Sequence, residues 1–236
     1  MTGPNYLGSE LDLFREARNW KSYWSRQLRP FIGGEVLEVG AGIGSNTGLL
    51  DDGNAGVWTC VEPDPRLVEQ LSRNLKSRSG VPYEIVCGTL QSMGERRFDT
   101  ILYVDVLEHI EDDRAELRDA AAHLRPDGHI AVLAPAHQCM RTPFDTAVGH
   151  FRRYDRSTLR KISPEGLRIE RMRYLDCAGL AASLANLLVL RQSMPTAAQL
   201  RAWDRWMIPV SRRLDPLLGF TLGKSILGVW RNPGRG

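Results

Sequence analysis

The apolar run Val36-Leu37-Glu38-Val39 passes without a break into Gly40-Ala41-Gly42-Ile43-Gly44. Helical patterning resumes over Ser45–Leu50, so a short buried strand turns on glycines straight into a helix. Glycines at such a turn let the backbone approach a ligand closely and aim helix N-terminal amides at it. The same rhythm repeats downstream. Val57–Val61 reads as a second strand, and Pro65–Ser77 as a helix with Leu67, Val68, Leu71 and Leu75 on one face. Tyr83–Cys87 and Phe98–Val106 read as the third and fourth strands. Asp112–Leu124 reads as a helix stopped by Pro126-Asp127-Gly128, and His129–Ala134 as a fifth strand. Nearly all-apolar strands alternating with helices predict an α/β fold, a parallel sheet covered on both faces with right-handed crossovers.

Both ends of the chain depart from that rhythm. Residues 9–29 carry Leu11, Phe14, Trp20, Tyr23, Trp24 and Leu28 among charges, which predicts one or two amphipathic helices ending at Pro30 and Gly33-Gly34. Leu167–Leu175 and Ser225–Trp230 read as strands six and seven, separated by helical patterning over Ala178–Leu190 and Ala197–Leu218. A long helical insert between two strands is expected to cover a site. The expected organisation is one domain with an N-terminal helical flap (1–30), a core (31–176 and 225–236) and a lid (177–224). Leu184, Leu187, Leu188, Leu190, Trp203, Trp206, Met207 and Ile208 are the apolar residues expected to line that lid.

Composition narrows the classes. With 42% hydrophobic and 25% charged residues and a net charge of +3, the chain is an ordinary globular protein. It lacks the concentrated basic footprint of a nucleic-acid binder, so no nucleic acid is expected as partner. Cys60, Cys87, Cys139 and Cys177 lie far apart, with no Cys-x-x-Cys pair and no histidine at zinc spacing. A reducing, cytoplasmic compartment and no metal site are therefore expected. The N-terminus shows no charged stretch followed by an apolar leader, and Ala178–Leu190 is too short to span a bilayer. Peripheral contact with a membrane stays compatible with the sequence, as do a monomer and a homodimer.

The glycine spacing selects among nucleotides. A dinucleotide fingerprint places its third glycine three residues after the second. Here Gly44 follows Gly42 by two, and Glu38 precedes the loop. An acidic side chain there would repel a pyrophosphate but suits the ammonium or sulfonium of a methionine moiety. Glu62 ends the second strand, about twenty residues on, where a carboxylate can accept both hydroxyls of a ribose.

The runs Val36–Gly44, Glu62-Pro63-Asp64, Phe98–His109 and Leu124–His129 occur in the order of motifs found in class I S-adenosylmethionine-dependent methyltransferases, and residues 36–135 resemble that family. The resemblance implies a Rossmann-like seven-stranded sheet with its last strand antiparallel, S-adenosyl-L-methionine as cofactor, and methyl transfer. It implies that Glu38, Gly40, Gly42 and Gly44 border the methionine part and that Glu62, with Pro63, holds the ribose. Gly88, Thr89 and Leu90 would lie by the adenine, while Asp105, Val106 and Leu107 would close the pocket. Asn46 after the loop, and Trp20 and Tyr23 from the flap, complete the expected cofactor set. One departure stands out: many relatives carry an Asp near the end of the third strand, where this chain has Cys87-Gly88-Thr89-Leu90.

Gly149-His150-Phe151-Arg152-Arg153-Tyr154 resembles the G-H-[FY]-R-R-Y signature of a bacterial subgroup acting on small molecules. This extends the likeness over nearly the whole chain and implies a small-molecule acceptor of undefined identity. With the apolar insert as a cover, an apolar or amphiphilic acceptor is expected, as in natural-product or lipid-like metabolism. Candidate general bases are few. His109 follows the fourth strand, His137 sits at the carboxyl end of the fifth, and His150 lies in the signature, with Tyr154 as a candidate donor. His123 and His129 read as solvated and structural, respectively. His150 reads equally as a hydrogen-bonded pin. Arg152 and Arg153 either grip an anionic acceptor or pair with Asp145 and Asp155 to hold the loop. An RNA or protein methyltransferase, or a cofactor-binding protein without turnover, remains the alternative. The fourth strand ends in Asp105-Val106-Leu107-Glu108 and lacks the Asn/Asp-Pro-Pro-Tyr used on planar amines.

Overall fold

The computed structural model describes residues 16–76, 81–186 and 196–234. Seven strands form one sheet: β1 (Gly34–Val39), β2 (Ala55–Glu62), β3 (Tyr83–Cys87), β4 (Phe98–Val104), β5 (Leu124–Pro135), β6 (Arg168–Leu175) and β7 (Ser225–Arg231). Their order is β3-β2-β1-β4-β5-β7-β6. Pairing is parallel from β3 through β5, whereas β7 runs antiparallel to both β5 and β6. The chain winds outward from β1 to β3, then crosses back to place β4 on the other side of β1. The carboxyl ends of β1 and β4 thus flank a topological switch point, where open α/β sheets bind their ligands.

Alternation along the buried strands builds two apolar layers. Val36, Trp58, Leu102, Leu133 and Leu227 face one side of the sheet together with Trp24 and Leu71 from helices. Leu37, Ile101, Tyr103, Val132 and Ile226 face the other, with Leu117. The helices are α1 (Arg18–Leu28), α2 (Thr47–Leu50), α3 (Pro65–Lys76), α4 (Asp113–Ala122), α5 (Pro143–Ala147), α6 (Arg156–Lys161), α7 (Cys177–Ala185), α8 (Ala197–Ala202) and α9 (Ile208–Leu217). A π turn, Trp203–Met207, joins α8 to α9.

Buried carboxylates tie the N-terminal helix to the insert. Ala17 offers α1 no side-chain cap, and the free amides of Asn19 and Trp20 instead donate to Asp204 at 3.2 and 2.8 Å. Tyr23 Oη donates to Asp215 at 2.7 Å, and Asp215 also accepts from the backbone N–H of Asp176 and Cys177 at the start of α7. These bonds fix α1, β6 and the insert as one cover.

The structure revises several sequence boundaries. β5 begins at Leu124 and absorbs Pro126-Asp127-Gly128, which were expected to precede it. The physical reason is a distant partner: Asp127 N–H donates to Asn232 O and Asn232 N–H to Gly128 O, so the C-terminal segment pairs with the turn. Leu11 and Phe14 of the expected flap, Ser77 at the end of the second helix, and Leu187, Leu188 and Leu190 of the expected lid lie outside the described residues.

Candidate active site

A cavity of about 1100 Å³ opens at the carboxyl ends of β1 and β4, beneath α1 and the insert. One half is built by the glycine loop, whose three glycines all hold positive φ (+65°, +57° and +77°) for different reasons. A Cβ on Gly40 would stand 2.7 Å from Val106, and one on Gly44 would stand 2.6 Å from Leu71 of α3. Gly42 alone faces open space. Gly40 N–H donates to Val61 O, and Gly42 N–H to Glu62 Oε2 at 2.9 Å, which folds the loop over the end of β2. Glu62 Oε1 accepts from Asp64 N–H at 3.0 Å, so the carboxylate is held at the wall with a lone pair on each oxygen still to spare. Burial raises its pKa, and those two amides oppose the rise.

Of the residues expected around a cofactor, Trp20, Gly40, Gly42, Asn46, Glu62, Pro63, Gly88, Thr89, Leu90, Asp105 and Val106 line this cavity. Tyr23, Glu38, Gly44 and Leu107 stand behind its wall. Glu38 is buried and accepts from Trp58 Nε1 at 3.0 Å; burial pushes its carboxyl up to about 7. Strand patterning around Glu38 hides this, because the tryptophan that claims it lies on the neighbouring strand.

Three strands of the sheet end in a left-handed residue that is not glycine. Asp105 (φ +55°), His137 (+64°) and Asp176 (+71°) follow β4, β5 and β6. Such residues cost of order 1–3 kcal/mol each and gather where a structure must aim a side chain. Asp105 faces the cavity, accessible to water there yet enclosed by protein, and its carboxyl is raised by that burial. His137 turns away: Nε2 meets Gly223 O at 3.0 Å and its ring stacks on Tyr174. His137 is therefore a pin between β5 and the segment before β7, outside the cavity lining.

The signature loop arranges the polar side of the cavity. Asp145 on α5 is fully buried and accepts from Arg153 Nε and Nη2 at 2.7 and 2.9 Å, from Thr142 N and Oγ1, and from His150. His150 and these other donors hold the Asp145 carboxyl far below the usual range despite burial. Being ionised, Asp145 must accept, so Nδ1–H of His150 is the donor across their 2.9 Å contact. His150 makes no hydrogen bond through Nε2 among the described residues, and it lines the cavity. His109 packs edge-on against it, ring centroids 4.6 Å apart; burial and that neighbour pull the His109 pKa down to about 4. Glu108 lies below them, buried, with neither carboxyl oxygen hydrogen-bonded; burial and nearby Asp105 push its pKa well up. Donor atoms of Glu108, His109 and His150 lie within 4.8 Å of one another, the one set among the described residues close enough to share a metal ion.

The paired arginines both serve carboxylates. Arg153 takes Asp145, as one of the two sequence readings has it, but Arg152 takes Asp113 at 2.6 Å in place of Asp155, which instead caps α6 through Ser157 and Thr158 N–H. Tyr154 Oη donates to Asp113 at 2.8 Å, has Leu107 O at 3.1 Å, and lies outside the cavity lining. The loop brings His150 to the cavity because Arg152 and Tyr154 anchor it from behind.

The other half of the cavity is apolar: Met140, Phe144 and Val148 from the signature region face Ala182, Leu200, Trp203 and Met207 from the insert. Of the residues expected to line a lid, Trp203 and Met207 do so, Ile208 is buried in the core, and Leu184 and Trp206 point to solvent. Sequence reasoning missed Lys224, which enters the cavity because Ser225 pairs with Pro135 at the end of β5. Its ammonium lies 5.2 Å from the Trp203 ring centroid and forms no salt bridge among the described residues; burial lowers its pKa. No local pattern around Gly223-Lys224-Ser225 announces this.

Known proteins place the fold. The chain is 29% identical over 124 residues to a demethylmenaquinone methyltransferase of Tropheryma whipplei, a match covering 52% of this chain and 51% of that protein. It is 33% identical over 102 residues to a ubiquinone biosynthesis O-methyltransferase of Methylocella silvestris, covering 42% and 39%. The matched segments thus span about half the length of such relatives, or less. The N-methyltransferase NodS from Bradyrhizobium japonicum, solved with S-adenosyl-L-homocysteine, superposes with a TM-score of 0.57 at 17% identity, covering 93% of this chain and 89% of that one. Residues 12–181 match the model of the methyltransferase domain, and the chain belongs to that family.

Proposed function

We propose that the chain transfers the methyl group of S-adenosyl-L-methionine to a small apolar or amphiphilic acceptor. The observation that carries this reading is a single cavity joining the glycine loop and Glu62 to the apolar wall under the insert, with the Asp145–His150 pair beside it. The residues present fit the cofactor. Gly42 leaves open space against the loop, Glu62 keeps acceptor capacity for the ribose hydroxyls, and Thr89 offers the end of β3 to the base. Glu38, behind the loop, adds negative charge on the side of the methionine part when ionised. A cavity of about 1100 Å³ holds more than one drug-sized molecule's worth of space, enough for cofactor and acceptor side by side.

The bound cofactor supplies an already activated methyl group, so the protein's task is to position the nucleophile and, where needed, take its proton. Nε2 of His150 receives that proton. Asp145 holds the ring in the tautomer that frees Nε2 and stabilises the imidazolium that results, as a carboxylate partner does in other histidine bases. Burial keeps His109 neutral, so it adds no competing positive charge. Lys224 beside Trp203 favours an acceptor oxygen bearing negative charge. The relatives named for demethylmenaquinone methylation and ubiquinone biosynthesis support a small, lipid-like acceptor.

The test is methyl-label transfer from the cofactor into a cell extract, with products divided into organic-extractable, nucleic-acid and protein fractions. Label in the organic fraction is expected. Label confined to RNA or protein overturns the acceptor class, and no cofactor-dependent label with measurable cofactor binding overturns turnover itself.

A further inference from the structure

The segment Ala197–Leu222 carries its polarity inside out. Its only acidic residues, Asp204 and Asp215, are buried and spent on the amides of α1 and α7 and on Tyr23. Ser211, on the same face, bonds Asp176. The outward face is apolar. Trp206 (66% exposed), Val210, Leu214 and Leu217 (82% exposed) recur at four-, four- and three-residue steps, the spacing of one helical stripe. Leu218 and Leu222 extend it past the end of α9. A soluble helix normally hides such a stripe, and scattered exposed residues would not line up.

Charge says what covers it. Arg201, Arg205 and Arg213 are exposed along this segment, Arg212 is half-buried, and no carboxylate of the segment reaches the surface. Arg205 stacks its guanidinium over Trp206 at 5.3 Å, an arrangement in which the ring can enter an apolar layer while the cation stays among headgroups. An apolar stripe flanked by arginines, without acids, matches the boundary of an anionic bilayer. A protein partner would be expected to meet some acidic rim. We propose that the outer face of the insert docks on an anionic membrane surface. The inner side of the same segment, at Leu200, Trp203 and Met207, lines the cavity, so docking would set that cavity against the lipid boundary. The surface argument needs no acceptor or cofactor and stands apart from the proposed reaction.

Vesicle flotation of the full chain tests it, using phosphatidylcholine vesicles with and without phosphatidylglycerol, and no methyl donor present. Flotation with the anionic vesicles is expected, weakening with added salt. The double variant Trp206→Ser/Leu217→Ser is expected to lose about tenfold or more in vesicle affinity, since two exposed apolar anchors are removed. Its circular dichroism and cofactor affinity should match the parent, because neither side chain packs inside. Absence of flotation by the parent overturns the proposal, as does undiminished flotation by the double variant. A dimer in sedimentation that the same substitutions dissolve assigns the face to a second copy of the chain, and also overturns it.

Discussion

Nδ1 of His150 donates to the fully buried Asp145 carboxylate at 2.9 Å, while Nε2, 3.9 Å from Glu108 Oε1, makes no hydrogen bond among the described residues. Asp145 also accepts from Nε and Nη2 of Arg153 and from N and Oγ1 of Thr142, so it cannot swing to another partner. If Nε2 is the base, His150→Ala lowers kcat by about 100- to 10,000-fold. Cofactor affinity measured by calorimetry stays near the parent value. Unchanged kcat would leave positioning of the acceptor as the whole of catalysis.

Tyr154 and His137 make the opposite forecast. Both lie outside the cavity lining and brace loops, through Asp113 and Leu107 O in one case and Gly223 O in the other. Tyr154→Phe should cost about 1–3 kcal/mol of stability by leaving Asp113 short of a buried partner. Residual kcat, measured well below the melting transition, should fall by less than about tenfold. A loss as large as that of His150→Ala would make Tyr154 a participant in the chemistry.

Glu62→Ala removes the carboxylate that ties Gly42 and Asp64 N–H and faces the cavity. Loss of two charge-assisted contacts to a ribose should weaken S-adenosylhomocysteine by about 10- to 100-fold in calorimetry. Equal affinity in parent and variant would remove Glu62 from the cofactor site.

The glycines separate stability from binding. Gly40→Ala drives a Cβ to 2.7 Å from Val106 at positive φ, and Gly42→Ala meets only open space at a similar φ. Both should lose about 1–2 kcal/mol to backbone strain. Gly40→Ala is expected to lower the melting temperature further. Gly42→Ala should show the larger loss of cofactor affinity relative to its stability loss. The reverse ranking would place the cofactor away from the loop.

Glu38 gives a pH signature. Its folded pKa, pushed up to about 7 by burial, exceeds the ordinary carboxyl value, so the fold favours the protonated form. That contribution is complete below about pH 4.5 and is lost as pH rises through about 7, on the order of 3 kcal/mol in all. Glu38→Gln, which keeps an oxygen for Trp58 Nε1, should flatten the stability curve between those limits. An identical pH dependence in parent and variant would show that Glu38 ionises in the fold as freely as in the unfolded chain.

Much of the frame is legible in the order of residues alone. The apolar strands, the strand-to-helix glycines and Glu62 at the end of β2 follow from local periodicity and spacing, because strand burial and turn conformation are set by near neighbours, while the antiparallel last strand follows from the family resemblance alone. The same local patterns mark His109 and His137 only by their closeness to strand ends and His150 only by its place in the signature loop. His109 and His150 line the cavity and His137 does not: Gly223, far along the chain, takes His137, while Asp145, five residues before His150, holds that ring. Lys224 enters through the pairing of β7 with β5, and Trp206 and Trp203 part company across one helical turn, one to solvent and one to the cavity. Local sequence thus settles the sheet, the loop and the chemical types available. Which side chains face the same space is a product of folding, since it rests on long-range pairing and on which side of each helix its buried carboxylates hold inward.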